Sequence, residues 1–424
     1  MPQEGQDYGK LSINEEALEL HRRYQGVIQV FAKVPIKDEV IYRRLYAPNA
    51  VAEVIQEILK DPMAAYDYTC KNNLVAIVTD GSAVLGFGNL GPRAALPVME
   101  GKAVLFKTFG GVEAFPICIS TQDTDMVIDL VENIAPTFGG INLEDISSPR
   151  CFDIERTLGE RLDIPVFHDD QHGTAVVALA GILNALKIVG RDLADARIVF
   201  NGAGASAIAV AKLLILAGAQ NIIVCDTKGV VYKGRPVGMN RIKEELAEIT
   251  NLEGMKGTLA DALKGAELFI GLSGPNVLTR DMVKTMAPNP IVFALANPDP
   301  EIHPDEAKAG GAAVVATGRS DFPNQVNNCL AFPGIFRGAL DIRAKGINDS
   351  MNMAAAHAIA NLVGQDLEPG YILPGAMDFR VPPAVAEAVA RAGLETGMAR
   401  RRIDPESVAR HTREFIYDER LSLI

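Results

Sequence analysis

Two pairs of adjacent acids and one glycine-rich turn hold most of the chemistry this chain can do. Glu144 and Asp145 follow the short segment Gly139-Gly140-Ile141-Asn142-Leu143. Asp169 and Asp170 stand in Phe167-His168-Asp169-Asp170-Gln171-His172-Gly173-Thr174, just past the apolar run 164–167. Neighbouring residues of a strand point to opposite faces, so each pair converges only at a strand end or in a loop. In open α/β sheets ligands bind beyond such ends. Oxygen ligands without cysteine suit Mg²⁺ or Mn²⁺. Taken alone, the same acids also fit solvated turns or helix caps, and Asp170 is placed to cap a helix starting near Thr174. His168 and His172 are spaced for one helix face, but the acids between them make the set oxygen-rich rather than a zinc site.

Gly202-Ala203-Gly204-Ala205-Ser206-Ala207 fits GxGxxA, with a predicted strand before it and a predicted helix after it. Gly202 permits the tight turn, Gly204 lets the backbone approach a pyrophosphate at the helix N-terminus, and Ala207 allows close helix–strand packing. Ala205 and Ser206 complete this expected dinucleotide cradle. Asp226 ends the next strand about 20 residues on, where an acid accepts from ribose hydroxyls and favours NAD. Lys228 and Lys233 follow closely enough to compensate a 2′-phosphate, so NAD and NADP both stay open. A third cluster is polar and neutral: Asn297, then Asn324, Asn327 and Asn328. Asn orients a hydroxyl or carboxylate without bringing charge, although Asn297-Pro298 alone also reads as an Asx turn. Tyr46 and Lys102, read singly, are a core tyrosine and a surface lysine.

The elements that must position these residues follow from periodicity. Apolar runs at 74–78, 83–87, 104–106, 114–119, 164–167, 196–200, 221–225, 267–271, 291–294 and 313–315 predict strands. Helices are expected at 14–23, 124–135, 174–189, 207–216, 353–363 and 382–394. Alternating strands and helices imply a parallel sheet. The expected fold class is α/β. An N-terminal α/β catalytic domain spans 1–163, a Rossmann-type dinucleotide domain 164–324, and a helical segment 325–424 packs back on the first.

At 424 residues the chain has room for two or three domains of roughly 150 residues. Its net charge of −12 repels nucleic acid and anionic membranes. Five scattered cysteines without a CxxC pair fit a reducing, cytoplasmic setting. The apolar stretch 175–186 is shorter than the about 20 residues of a membrane helix and reads as a core helix.

Taken in order, these segments resemble malic enzyme, in its shorter prokaryotic branch. The resemblance covers about residues 43–341. It rests on Tyr46-x-Pro48, VAIVTDGSAVLGFGNLG at 75–91, PVMEGKAVLF at 97–106, PTFGGINLEDI at 136–146, PVFHDDQHGT at 165–174, the GAGASA turn, ALANP at 294–298 and NNCLAFPG at 327–334. It implies Tyr46 as general acid and Lys102 as general base. It also implies Glu144, Asp145 and Asp170 as metal ligands with Asp169 beside them, Asn297, Asn328 and Asp169 as substrate contacts, and Asn297 as a cofactor contact as well. The larger eukaryotic members carry an Arg where this chain has Ser82-Ala83-Val84.

The chemistry implied is oxidative decarboxylation of L-malate to pyruvate and CO₂ with NAD or NADP and Mg²⁺ or Mn²⁺. Lys102 has to be neutral, with a pKa lowered by the metal and by partial burial. Tyr46, buried and protonated, then protonates C3. The expected assembly is a homodimer or higher homo-oligomer. The rival readings are a malolactic-type decarboxylase that releases lactate, an amino-acid dehydrogenase, and a nucleotide-sensing protein without turnover.

Overall fold

The computed structural model describes residues 12–84 and 86–416. The chain opens with α1 (Ile13–Tyr24), α2 (Glu39–Tyr46) and α3 (Pro48–Lys60), none of which contains a buried residue. A first sheet follows, built from β1 (Leu74–Thr79), β2 (Glu113–Cys118), β3 (Gly140–Leu143) and β4 (Val166–His168) in the order β2-β1-β3-β4. All its pairings are parallel. Period-two alternation buries both faces: Val75 and Ile77 enter the main core, while Ala76 and Val78 enter a second apolar cluster behind the sheet. Because β4 pairs with β3, the expected division after residue 163 falls inside this sheet.

Two expected strands take other forms. Residues 104–106 lie inside α4 (Pro92–Gly110), which crosses from the end of β1 to the start of β2. Its buried residues Ala95, Met99, Lys102, Ala103, Phe106 and Phe109 recur at helical spacing, a period hidden by the short apolar run at its end. The run 83–87 includes Leu85, which lies outside the described residues; of its neighbours, Val84 makes one isolated bridge to Gly88 rather than part of a strand.

From β4 the chain enters α5 (Asp169–Val189), a long apolar helix buried in the core shared by both halves of the molecule. It starts at Asp169, five residues earlier than its apolar periodicity suggests, so both acids of the second pair lie in its first turn.

The second sheet comprises β5 (Arg197–Asn201), β6 (Asn221–Asp226), β7 (Gly229–Val230), β8 (Leu268–Gly271), β9 (Ile291–Ala294) and β10 (Val314–Thr317). Its order is β10-β9-β8-β5-β6-β7, parallel except for the edge strand β7. β5 sits at the point where the strand order reverses, the crevice where a Rossmann-type sheet binds its ligand. After β5 runs α6 (Ala205–Leu216), packed along α5.

The C-terminal helices are α7 (Phe332–Asp341), α8 (Asp349–Val363), α9 (Val381–Glu395) and α10 (Pro405–Ile416). α7 and α10 pack on α4. Phe106 of α4 meets Phe332 and Phe336 of α7 at ring separations of 4.6 and 5.2 Å, and Phe336 meets Phe167 of β4 at 5.7 Å. This aromatic floor fixes α4 against the sheet beneath the acids.

Candidate active site

Register brings the acids together. Leu143 pairs with His168 at the ends of β3 and β4, so the next residues, Glu144 and Asp169, leave the sheet as neighbours. Lys102 reaches them from the buried face of α4. Its Nζ lies 2.8 Å from Glu144 Oε1 and 2.5 Å from Asp169 Oδ2, and 4.4 Å from the centre of the Phe332 ring. Only 8% of this side chain is exposed, so Lys102 is no surface lysine. Asn142, two residues before Glu144 on the same face of β3, donates to Glu144 Oε2 at 2.9 Å. Asn328 donates to Asp169 Oδ2. Any Cβ at Gly173 would collide with Asp169 Oδ1, so glycine there gives the carboxylate its place over the helix start.

The remaining acids converge beside this pair. The Asp145 backbone N–H donates to Asp170 Oδ2 at 2.8 Å, which is what Asp170 does in place of capping a helix at Thr174. Oxygens of Glu144, Asp145 and Asp170 lie within 4.8 Å of one another. Asp169 Oδ1 is buried with no hydrogen-bond partner. Buried polar atoms are rarely left unpaired, so an orphaned carboxylate oxygen beside three converging acids fits a hard divalent cation. His172 stays apart from this group, its Nε2 pairing with Glu155 Oε1 at 2.9 Å, while the buried His168 has Nδ1 3.8 Å from Asp170 Oδ2.

Burial pushes the Asp169 and Asp170 carboxyls up to about 6 and also raises Glu144. Lys102 moves against the sequence expectation. Burial lowers its pKa, but the Asp169 and Glu144 carboxylates outweigh burial and hold the ammonium charged, above the ordinary lysine value. A base role for Lys102 therefore requires that these acids be neutralised by something else.

Tyr46 departs from expectation as well. It ends α2, is 75% exposed, and stacks only loosely on Tyr42, with ring centres 6.5 Å apart. Among the described residues no hydrogen bond links it to Lys102, Glu144 or Asp169. The segment lacking an arginine receives one from elsewhere: Arg150 donates to Asp80 Oδ2 at 2.7 Å and to Ser82 Oγ at 3.0 Å. Asn297 follows β9 with its carbonyl oxygen against Gly86 of the first half and its side chain against Gly318 of the second.

The glycine-rich turn has the expected form. Gly202 has φ +122°, and a Cβ there would strike the Leu272 carbonyl, so no other residue fits. Open space surrounds the Cβ position of Gly204, and the α6 N-terminus has no side-chain cap. Ala205 and Ser206 thus present free backbone N–H groups, and Ala207 is buried against the sheet. This cradle fits a pyrophosphate.

At Asp226 the structure shows what sequence spacing missed. Oδ1 accepts from the Lys228 backbone N–H and Arg235 Nη1, both at 2.8 Å. Oδ2 accepts from Arg235 Nη2 at 2.5 Å and Lys243 Nζ at 2.7 Å. Two carboxylate oxygens offer about four acceptor directions, and all are occupied. Burial pulls the Asp226 pKa up, yet the hydrogen bonds from Arg235 and Lys243 hold it far below the usual carboxylate range. Neither cation is recognisable from spacing, because both reach back from a turn and a helix beyond β7. Lys233 instead pairs with Glu248 at 2.7 Å.

Comparison with known proteins agrees with this geometry. Residues 25–159 match the family model for the malic enzyme N-terminal domain, and residues 171–394 match that for the malic enzyme NAD-binding domain. The chain is 55% identical over 405 residues to a bifunctional malic/malolactic enzyme of Bacillus subtilis (strain 168), covering 95% of this chain and 98% of that one. It is 54% identical over 377 residues to an NAD-dependent malic enzyme of Geobacillus stearothermophilus, covering 89% and 78%. The crystal structure of a malic enzyme from Pyrococcus horikoshii superposes with a TM-score of 0.93 at 47% identity, over 97% of this chain and 98% of that one.

Metal ligands bind deprotonated, so the raised acids set a pH limit. Mn²⁺ affinity should be level above about pH 6 and fall as pH drops below it, since protons then compete at Asp169 and Asp170. Calorimetric titration from pH 5 to 8 checks this; an affinity unchanged across that range contradicts it.

Proposed function

This chain belongs to the malic enzyme family, as an NAD- or NADP-dependent oxidoreductase, and from that premise we propose that it converts L-malate to pyruvate and CO₂ at the Lys102 site. The observation carrying this reading is the buried contact of Lys102 with Glu144 and Asp169 beside three converging acids. Glu144, Asp145 and Asp170 would hold Mg²⁺ or Mn²⁺, which as a Lewis acid stabilises the charge that develops as CO₂ leaves. Asp169 positions Lys102, and Asn328 and Asn297 orient the substrate. Lys102, once the acids are neutralised, takes the proton from the C2 hydroxyl. The Gly202–Ala207 cradle would hold the nicotinamide cofactor, which would supply the acceptor for the C2 hydride. Tyr46 protonates C3 after decarboxylation.

The location of Tyr46 bears on assembly. α1 to α3 bury nothing, and they expose Leu18, Val40, Ile55 and Leu59 along with Tyr46. We propose a homodimer or higher homo-oligomer in which a second copy covers this arm and brings Tyr46 to a Lys102 pocket. The five free cysteines fit a cytoplasmic enzyme. A malolactic reading is kept as the second one, because the Bacillus relative is named for both activities.

Two assays test these assignments. With L-malate, Mn²⁺ and either cofactor, reduced cofactor and pyruvate should rise together, whereas lactate without net reduced cofactor supports the malolactic reading. Lys102→Ala should suppress both malate oxidation and reduction of added oxaloacetate. Tyr46→Phe should slow pyruvate formation by about 10²–10⁴-fold yet spare oxaloacetate reduction. Equal loss of both partial reactions in Tyr46→Phe contradicts the C3 assignment.

Cofactor choice follows from Asp226. Its charge is cancelled by Arg235, and Lys243 adds a net positive charge where the adenosine ribose would lie. We propose that a 2′-phosphate is accepted, through Lys243. NADP should be used efficiently, and Lys243→Gln should lower kcat/KM for NADP by about 10–100-fold, the range for a charged hydrogen bond, while leaving NAD nearly unchanged. Exclusive use of NAD by the unaltered chain overturns this assignment.

A further inference from the structure

The chain carries 53 acidic against 41 basic residues, yet one cavity reverses that sign. It has a volume of about 490 Å³, within the range of small-molecule sites. It lies at the opposite edge of the first sheet from the acids, where Asn73 precedes β1 and Glu113 begins β2. Lys33, Lys107, Arg337, Arg343 and Arg401 line it, against the carboxylates of Asp67, Glu113 and Asp341.

Three of those cations are matched. Lys107 meets Glu113 at 2.6 Å, Arg337 meets Asp341, and Arg343 meets Asp67. Lys33 and Arg401 have no ion-pair or side-chain hydrogen-bond partner among the described residues. Arg337 is only 3% exposed, and its Nε finds no acceptor. Its Nη1 donates to Asn73 Oδ1 at 2.5 Å, and its guanidinium lies 5.5 Å from the Phe415 ring. At the rim, the Tyr66 ring is approached by three cations: Lys71 at 5.3 Å, Arg343 at 5.2 Å and Arg400 at 5.7 Å. A buried guanidinium with an unused donor, next to two unmatched cations, is completed by a ligand with several anionic oxygens.

We infer that this cavity binds a small, multiply charged anion bearing carboxylate or phosphate groups, at a site separate from the catalytic one. Its walls are mechanically tied to the catalytic centre. Lys107 shares α4 with Lys102, and Arg337 follows Phe336 in the aromatic floor beneath Lys102.

Calorimetric titration of the full chain without divalent cations tests this, with inorganic phosphate and succinate as separate probes. Saturable binding of at least one probe is expected. The paired substitution Lys33→Ala and Arg401→Ala, both at exposed positions, should weaken it about tenfold or more. Lys102→Ala, which removes the cation of the catalytic pocket, should leave it unchanged. The preferred probe distinguishes a phosphate from a carboxylate ligand. No saturable binding of either probe, binding that survives the paired substitution, or binding lost in Lys102→Ala would overturn the inference.

Discussion

One ammonium group allows the Glu144 and Asp169 carboxylates to lie buried together, beside buried Asp145 and half-buried Asp170. Lys102 Nζ touches Glu144 and Asp169 directly, and the charges of Asp169, Glu144 and Asp170 together keep it protonated. Burying a charge is costly unless it is paired, and removing one partner of a buried pair typically costs about 3–5 kcal/mol. The surrounding structure serves this contact. The register of β3 on β4 sets Glu144 beside Asp169, Gly173 leaves room for the Asp169 side chain, and the ring of Phe332 supports the ammonium from below. The same contact holds Lys102 in its charged form, which cannot accept a proton. In the reaction proposed above, a divalent cation on Glu144, Asp145 and Asp170 would resolve the conflict by taking over the compensating charge, which would leave Lys102 free to act as a base.

α5 connects this site to the cofactor cradle. It begins at Asp169, in the site, and runs through the shared core beside α6, whose N-terminus forms the cradle. One buried helix thereby links the acid site to the cradle. Asn297, wedged between Gly86 of the first half and Gly318 of the second, marks where the two halves face each other.

Much of this was legible in the sequence, for identifiable reasons. The second sheet was, because its strands are short apolar runs between turn residues and its glycine turn admits few other folds. The acids were, because Glu144-Asp145 and Asp169-Asp170 both follow strands. What escaped depended on contacts distant in sequence. The run 104–106 looked like a strand because the helical period of α4 is spread over 19 residues. Lys102 read singly as a surface lysine because its partners lie on β3 and α5. The pairing of Arg235 and Lys243 with Asp226 exists only once the chain has folded back beyond β7. Tyr46 was expected to be buried, yet it is exposed at the end of a helix with no buried residue.

The charge state of Lys102 is the most direct test of this account. In enzyme carrying ¹⁵N-labelled lysine, with the Lys102 signal assigned by its loss in Lys102→Arg, the Nζ resonance can be titrated without and with Mg²⁺. Without metal it should remain that of an ammonium past the ordinary lysine value of about 10.4. With Mg²⁺ bound its pKa should fall below that value. A Lys102 pKa that is the same in both titrations would contradict the claim that the acids hold the lysine charged until a cation replaces it.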